Sequence, residues 1–231
     1  MSKTRSEVKT DSYLHLTNSK VEINNTSLVF IFIKRLIDII GALTGLVITA
    51  PIFLLVSIFY LFGDSKGPLF FKQHRYGKSG KLFYIIKFRS MIVNADEKLK
   101  SNKELYNKYL KNNYKLEPNE DPRITKLGRF LRKTSMDELP QLINVLKGEM
   151  SIVGPRPIVE DELREYKNSA NDFLSVKPGI TGYWQVSGRS DVGYPERVDL
   201  EMFYVYNKSL LLDTKIIIQT IGIVLKRKGA Y

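Results

Sequence analysis

The sequence contains no cysteine and only two histidines, His15 and His74. The lack of cysteine excludes disulfides, thiolate metal ligands and a cysteine nucleophile within these 231 residues. Two isolated histidines also supply too few ligands for an ordinary zinc site. Any metal ion is therefore expected to be a hard cation bound through oxygen.

Acidic residues are scarce relative to basic ones. The chain has 24 Asp and Glu against 36 Lys and Arg, which gives a formal net charge of +12. This excess predicts attraction to polyanions, which include nucleic acid, anionic lipid headgroups and phosphorylated small substrates. No recognised nucleic-acid-binding motif occurs in the sequence, so we expect no nucleic-acid partner.

Charge is missing altogether from one long segment. From Ile39 to Phe62, 24 consecutive residues carry no formal charge, within an apolar run that begins at Leu28. A bilayer core of about 30 Å is spanned by about 20 apolar helical residues. The run also lacks the polar stripe of a helix that lies on a soluble core. It predicts a membrane-inserted helix, and a nucleic-acid-binding protein offers no explanation for it.

Pro51 lies near the middle of this run. Proline cannot donate to the carbonyl of Val47 and its ring clashes there, which predicts a kink or break near Pro51. Basic residues flank the run on both sides, and such residues tend to stay cytoplasmic. A re-entrant helix keeps both flanks inside, so it is the preferred topology, with a kinked single span as the alternative. The flanking cations are Lys34, Arg35, Lys66, Lys72, Arg75, Lys78 and Lys81.

The composition divides the chain into a polar, mobile tail over 1–27, the membrane helix over 28–63 and one domain over 64–231. Short apolar runs after Phe62 predict extended segments or a hairpin. Gly77–Lys81 lacks the spacing of a phosphate-binding loop and is predicted to be a turn. Residues 95–116 and 209–231 are predicted to be helical, and the second helix has too short an uncharged stretch to span a bilayer.

The residues most suggestive of chemistry lie between Asp121 and Pro157. Several cations directly precede the pair Asp137 and Glu138, and Pro140 predicts the first turn of a helix, with Asp137 at or near its N-cap. The pair then either caps that helix, worth about 1 kcal/mol, or serves a phosphate site at the helix start. A carboxylate beside arginines stays ionised, as a nucleophile or metal ligand must. The cations are Arg123, Lys126, Arg129, Arg132 and Lys133.

A second candidate element is the sequence GPRP, from Gly154 to Pro157. Pro157 restricts Arg156 to an extended conformation, so the guanidinium is carried on a stiff loop. Such an arginine suits bidentate phosphate binding. A plain rigid turn with a solvated arginine is the alternative.

Taken together, these residues resemble the bacterial sugar transferases, the polyprenyl-phosphate phosphoglycosyl transferases with a single membrane segment. The resemblance runs from about Ile33 to Tyr231 and consists of blocks in a fixed order. These blocks are KRLIDI, the proline-containing apolar helix, KFRSM, DPRIT, LRKTSMDELPQLINVLKGEMSIVGPRP, KPGITGYWQVSGR, NKSLLLDTKII and the terminal GAY.

The resemblance implies a mostly helical α+β fold, in which residues 64–231 form a catalytic domain on the cytoplasmic face of the bacterial cytoplasmic membrane. It implies that Asp137 attacks the β-phosphate of a UDP-sugar, releases UMP and holds a covalent sugar-phosphate intermediate. Undecaprenyl phosphate then takes up the sugar phosphate. Glu138 is expected to orient the pair or to assist proton transfer.

The expected cofactor is Mg²⁺, which would bridge Asp137 and phosphate oxygens. Lys87, Arg132 and Arg156 are expected to bind the substrate phosphates, and anionic lipids are expected at the membrane surface. The pathway implied is capsule or exopolysaccharide synthesis, with galactose or glucose as guesses for the sugar, and an oligomer is compatible with the sequence. A noncatalytic, membrane-anchored scaffold is the alternative function. Tyr183 and Trp184 either stack on a nucleotide base or pack in the core, and packing is preferred.

Overall fold

A computed structural model of the chain describes residues 27–111, 116, 120–188 and 192–225. Residues 1–26 of the tail predicted over 1–27 lie outside these residues. Part of the helix predicted to reach Leu116, Arg189 and the terminal GAY lie outside them as well. Statements about the fold below refer to the described part of the chain.

The first element is helix α1, Leu28–Phe59, whose 32 residues form the one described helix long and apolar enough to cross a membrane. The side chain of Ser27 caps it by accepting a hydrogen bond from the Val29 N–H at 3.3 Å. Apolar side chains along it stay exposed, for example Val47 at 74% and Leu54 at 69%. Apolar surface on this scale marks a contact with lipid or with another protein.

Pro51 lies inside α1, and helical secondary structure continues on both sides of it. The structure therefore shows no gap in the helix at this position. Nearby hydroxyls bond carbonyls within the helix: Thr49 donates to Gly45 at 2.6 Å and Ser57 to Leu54 at 2.7 Å. The re-entrant topology stays a prediction.

Three charged residues of the KRLIDI block attach α1 to the rest of the molecule. Lys34 donates to the Asp213 carboxylate at 2.6 Å, and Asp38 is buried. Arg35 bonds two carbonyls at the end of a later helix, so it neutralises the negative end of that helix dipole. The Arg35 partners are the carbonyls of Val145 at 2.6 Å and Leu146 at 2.8 Å, and the Asp38 partners are the Ser151 hydroxyl and the Ile152 N–H, both at 2.9 Å.

The predicted extended segments form an antiparallel hairpin of β1, Phe70–Tyr76, and β2, Leu82–Phe88. Phe70 pairs with Phe88 at one end and Tyr76 with Leu82 at the other. The predicted turn is confirmed: a 3-10 turn at Lys78–Gly80 joins the strands, with Ser79 and Gly80 at φ angles of 59° and 72°.

The remaining elements are mainly helices of 4 to 16 residues and one small parallel sheet, which confirms a mostly helical α+β fold. The helices are α2 Ala95–Ser101, α3 Lys103–Lys111, α4 Lys126–Lys133, α5 Gln141–Lys147, α6 Glu160–Leu163, α7 Ala170–Phe173, α8 Tyr183–Ser187, α9 Glu196–Asn207 and α10 Leu210–Leu225. The parallel strands are β3 Ser151–Val153 and β4 Gly179–Thr181.

The single helix predicted from residue 95 is wrong, because two helices, α2 and α3, occupy this segment. Asn102 separates them in an extended conformation, and its side chain accepts a hydrogen bond from the Leu105 N–H at 3.0 Å. Asparagine is among the best N-cap residues, so a local cap interrupts the apolar periodicity.

One core cluster connects α1 to the rest of the described molecule. Ala42 of α1 is fully buried against Phe83 and Ile85 of β2 and Val145 of α5. A β-carbon added at Gly41 would lie 2.4 Å from the end of the Ile152 side chain, so α1 approaches β3 closely at this position. The packing fixes the first half of α1 against the segments that carry the candidate site.

Candidate active site

The Asp137–Glu138 pair lies in a tight turn between two helices. After α4, Ser135 adopts a left-handed conformation with φ of 56°, and Met136–Glu138 form a single 3-10 turn. The N-cap of α5 is Pro140, so the prediction that Asp137 lies at or near this N-cap is wrong. The physical reason is that Pro140 adopts helical angles just after the turn, which leaves Asp137 three residues before the N-cap.

Glu138 brings together cations from two other segments. The Lys87 ammonium of β2 lies 2.6 Å from the Glu138 carboxylate, and the Arg156 guanidinium lies 3.8 Å from the same oxygen. The Lys87 and Glu138 side chains are only 18% and 24% exposed, so screening by water is limited. The structure thus brings two predicted phosphate-binding residues to the predicted acidic pair.

Arg132 approaches the pair from the last turn of α4. Its guanidinium donates to the Ser90 hydroxyl at 2.8 Å, which fixes the side chain. Burial lowers the pKa of Arg132, while the neighbouring Asp137 charge raises it. All three predicted cations therefore lie around the turn.

The environment of Asp137 disfavours its ionised form. Burial and the adjacent Glu138 charge raise the pKa of Asp137 from 3.8 to about 6, against the opposing effect of Lys87 and Arg132. A carboxylate with this pKa is still mainly ionised at neutral pH and is more basic than an ordinary aspartate. This combination suits a nucleophile.

Arg156 is fixed through its backbone as well as its side chain. Its N–H donates to both carboxylate oxygens of Glu201, at 3.2 and 3.1 Å, and its guanidinium lies 5.9 Å from the centre of the Trp184 ring. Glu201 is fully buried, and this burial raises the pKa of its carboxyl to about 7. Glu201 is a positioning residue for the GPRP loop.

Arg197 supports this arrangement from α9. It lies 3.5 Å from Glu201 and 3.1 Å from Glu162, and its guanidinium covers Trp184 at 4.3 Å from the ring centre. Trp184 also donates to the Val192 carbonyl at 2.9 Å, and Tyr183 packs on Phe203 with ring centres 4.5 Å apart. Both aromatic rings make contacts within the protein and are only partly buried, so the choice between core packing and stacking on a base stays a prediction.

A cleft opens beside Glu138 and contains residues that sequence reasoning missed. Arg75 enters it from β1, with a guanidinium nitrogen 2.8 Å from Gln73 and another 3.9 Å from Glu162. The sequence analysis named Arg75 only as one of the cations that flank the apolar run. Two buried glutamines of the cleft, Gln141 and Gln185, belong to no motif that would have singled them out. The lining residues are Arg75, Ile85, Lys87, Glu138, Gln141, Arg156, Pro157, Gly179, Ile180 and Gln185.

The candidate metal ligands are few. Among the described residues no group of three or more histidine, aspartate or glutamate side chains is placed to hold an ion. Glu138 is already paired with Lys87, which leaves Asp137 as the available carboxylate. Mg²⁺ is often held by one or two carboxylates together with substrate phosphates and water, so the site fits a magnesium ion shared with a substrate.

Comparison with known proteins gives a consistent match. The model for the bacterial sugar transferase family matches residues 29–227. The undecaprenyl-phosphate galactose phosphotransferase of Salmonella typhimurium is 47% identical over 203 residues, which cover 87% of this chain and 42% of the relative.

Two further relatives differ in length. The exopolysaccharide production protein ExoY of Sinorhizobium fredii is 46% identical over 202 residues, covering 86% of this chain and 88% of ExoY. The UDP-glucose:undecaprenyl-phosphate glucose-1-phosphate transferase of Klebsiella pneumoniae is 38% identical over 219 residues, covering 90% of this chain and 43% of the relative. The chain thus spans about two fifths of the longer relatives and most of the shorter one. Since the family match extends over most of the chain, this protein belongs to the bacterial sugar transferase family.

Proposed function

We propose that this protein transfers a sugar 1-phosphate from a UDP-sugar to undecaprenyl phosphate and releases UMP. The observation that carries the proposal is the convergence of Lys87, Arg132 and Arg156 on the turn that holds Asp137 and Glu138. The names of the Salmonella and Klebsiella relatives support the reaction class and the lipid acceptor. A scaffold that only caps a helix has less support, since Pro140 and not Asp137 is the N-cap.

In the first step, a carboxylate oxygen of Asp137 attacks the phosphorus atom that bears the sugar. An Asp–O–P bond forms while the bond to the oxygen bridging the two phosphates breaks, and UMP leaves with that electron pair. The negative donor must approach a negative nucleophile, so the repulsion has to be offset. Lys87 and Arg156 are positioned to bind the diphosphate, and Arg132 supports the Asp137 charge.

In the second step, an oxygen of undecaprenyl phosphate attacks the same phosphorus atom. The Asp–O–P bond breaks, the Asp137 carboxylate is regenerated, and the product is a sugar diphospho-lipid. Glu138 keeps Lys87 and Arg156 beside the phosphorus in both steps, which argues for an orienting role. When bound, Mg²⁺ would neutralise charge on the donor phosphates, with Asp137 as its protein ligand.

The acceptor lipid places a requirement on location. Its phosphate lies at the membrane surface, so the enzyme must hold its site there, and the exposed apolar face of α1 supplies an anchor. Lys34, Arg35 and Asp38 attach that anchor to the domain, which we propose faces the cytoplasm. The excess of basic residues favours contact with anionic lipid headgroups.

The proposed re-entrant topology can be tested directly because the chain has no cysteine of its own. Single cysteines at Ser27→Cys and Lys66→Cys report the two flanks of α1. In sealed inverted vesicles, labelling of both by an impermeant reagent supports the re-entrant helix. Labelling of only one flank establishes a transmembrane span.

The reaction is tested by UMP release from a panel of UDP-sugars, with and without undecaprenyl phosphate and Mg²⁺. We expect lipid- and metal-dependent release by the wild type and none by Asp137→Asn, while Asp161→Asn, an exposed carboxylate, serves as the matched control. Intact-mass measurement without lipid should show one sugar phosphate on the wild type and none on Asp137→Asn. If folded wild-type protein released no UMP from any donor, the noncatalytic scaffold would become the favoured function.

The same panel identifies the sugar. The Sinorhizobium relative is named for exopolysaccharide production. We propose that the present protein carries out the first membrane-bound step of capsule or exopolysaccharide synthesis, with galactose and glucose donors as the first to test.

A further inference from the structure

Phe71 is an exposed aromatic residue on the same face of the hairpin as Lys87. It is 45% exposed and stands directly opposite Lys87 in the pairing of β1 with β2. Side chains at directly opposed positions project from the same face of a sheet, with their β-carbons about 4.5–5.5 Å apart. The Phe71 ring is therefore a neighbour of the cation that pairs with Glu138 at 2.6 Å.

This face of the hairpin changes from apolar to charged along β1. Alternate residues of a strand share one face, so Phe71, Gln73 and Arg75 follow one another on it. Arg75 lines the cleft beside Glu138. A strand rises about 3.4 Å per residue, which places Arg75 about 14 Å from Phe71. The apolar end of the face is thus the end away from the cleft.

The apolar end of this face adjoins the second half of α1. Phe70, the residue before Phe71, packs its ring 6.5 Å from the Phe53 ring of α1. The Gly67 N–H donates to the Tyr60 carbonyl at 3.1 Å, which ties the start of the hairpin to the end of α1. Phe71 therefore lies between the exposed apolar surface of α1 and Lys87. The exposed apolar residues in and just after this half of α1 are Leu54, Leu55, Ile58, Phe59, Leu61 and Phe62.

A lipid phosphate has the chemistry that matches this arrangement. In a polyprenyl phosphate, one oxygen atom joins the phosphate to the first isoprene unit. Its site must present an apolar surface that begins beside a phosphate-binding cation and continues into the bilayer. Phe71 begins such a surface beside Lys87, and α1 continues it. A nucleotide base needs only one ring and no continuation onto α1, so the continuous surface favours the lipid.

We propose that Phe71 binds the first isoprene units of the lipid acceptor and so brings the acceptor phosphate to Lys87. This inference rests on the proposed function, because it concerns the acceptor of the same reaction. It assigns Phe71 to the second step of the transfer and leaves the first step, the attack of Asp137 on the donor, independent of this ring.

The first test measures equilibrium binding of farnesyl phosphate, a short prenyl phosphate, and of inorganic phosphate to detergent-purified protein without donor. The wild type should bind farnesyl phosphate more tightly than inorganic phosphate. Phe71→Ala should raise the Kd for farnesyl phosphate about fivefold, the change expected when the exposed half of one phenylalanine loses its apolar contact. Its Kd for inorganic phosphate should stay at the wild-type value.

Two further variants serve as controls for this measurement. Phe71→Leu keeps an apolar side chain at the position and should restore most of the farnesyl phosphate binding. Tyr84→Ala removes an aromatic residue of similar exposure, 52%, from the opposite face of the hairpin and should bind farnesyl phosphate as the wild type does. An equal loss in Tyr84→Ala and Phe71→Ala would overturn the inference, since the hairpin and not the ring would then be responsible.

The second test separates the two steps of the reaction. Phe71→Ala should raise the KM for undecaprenyl phosphate and leave unchanged both the KM for the UDP-sugar and the inhibition constant of UMP. If UMP binding weakens as strongly as acceptor binding, the ring stacks on the base and the inference is wrong. It is also wrong if only undecaprenyl phosphate is affected and farnesyl phosphate is not, because Phe71 would then contact the membrane in general.

Failure of the proposed function has a different signature, namely no UMP release by the folded wild type. Binding of farnesyl phosphate needs no turnover, so it decides the inference separately. Equal binding of farnesyl phosphate by the wild type and Phe71→Ala, or no preference of the wild type for farnesyl phosphate over inorganic phosphate, refutes the role of Phe71.

Discussion

Replacing the proposed nucleophile by Asp137→Asn should stabilise the fold while it abolishes activity. The pKa of Asp137 is raised from 3.8 to about 6, chiefly by burial and by the Glu138 charge. Keeping this carboxylate charged in the folded protein therefore lowers the free energy of unfolding at neutral pH. As pH falls through about 6 towards 4, the folded protein takes up a proton that the unfolded chain does not, and the cost disappears.

The size of the effect follows from the shift. The pKa rises by about two units, and each unit corresponds to about 1.4 kcal/mol. Removing the charge can therefore raise the free energy of unfolding by at most about 3 kcal/mol at pH 8. The amide of Asp137→Asn must still satisfy its own hydrogen bonds, so we expect a gain of about 1–2 kcal/mol. For a protein of this size, that raises the midpoint of thermal unfolding by about 3–6 °C.

The assay is thermal unfolding in detergent, followed by the fluorescence of Trp184, which is the sole tryptophan of the chain. Wild type, Asp137→Asn and the exposed control Asp161→Asn are compared at pH 8 and pH 5. The gain of Asp137→Asn should be largest at pH 8 and should shrink at pH 5, while the control stays close to the wild type at both. A midpoint at or below that of the wild type at pH 8, or a gain independent of pH, would refute the reasoning.

Three further outcomes are expected. UMP release should fall about tenfold for each pH unit below about 6, because the first step needs ionised Asp137, and a flat profile between pH 5 and 7 would contradict this. Lys87→Met should move that acid limb to higher pH, since Lys87 lowers the pKa of Asp137, whereas Lys81→Met should leave it in place. Chelation of Mg²⁺ should stop UMP release and leave the unfolding midpoint unchanged, because no described cluster of carboxylates holds the ion without substrate. A large fall in the midpoint on chelation would instead indicate a structural metal.

Much of the fold could be predicted because its signals are local. The uncharged run predicted α1, and the apolar segments on either side of Gly77–Lys81 predicted the hairpin. The division of residues 95–111 into two helices was missed, because the Asn102 side chain overrides an apolar period that continues across it. Periodicity records which face is buried and carries no information on where a local cap interrupts the helix.

The candidate site was predictable only in part. Asp137, Glu138, Lys87, Arg132 and Arg156 do come together, and the ordered blocks of the sequence suggested this. Glu201 was missed because nothing in the chain shows in advance that it is buried. Arg197 and Glu201 lie four residues apart on α9, a spacing that also occurs in ordinary surface ion pairs. Gln141 and Gln185 were missed because only the fold brings them to one cleft.

The error at Asp137 has a physical cause that bears on function. Pro140 and the following apolar residues predict a helix with a carboxylate at its start, where that carboxylate would be stabilised. The chain instead places Ser135 in a left-handed conformation, which costs about 1 kcal/mol for a residue with a side chain. This turn places Asp137 in a partly buried position beside Glu138, where its charge is disfavoured. Local rules fail in this turn, and failures at a reactive group are expected where a protein gives up stability for chemistry. The misplaced cap is thus itself an argument that Asp137 reacts.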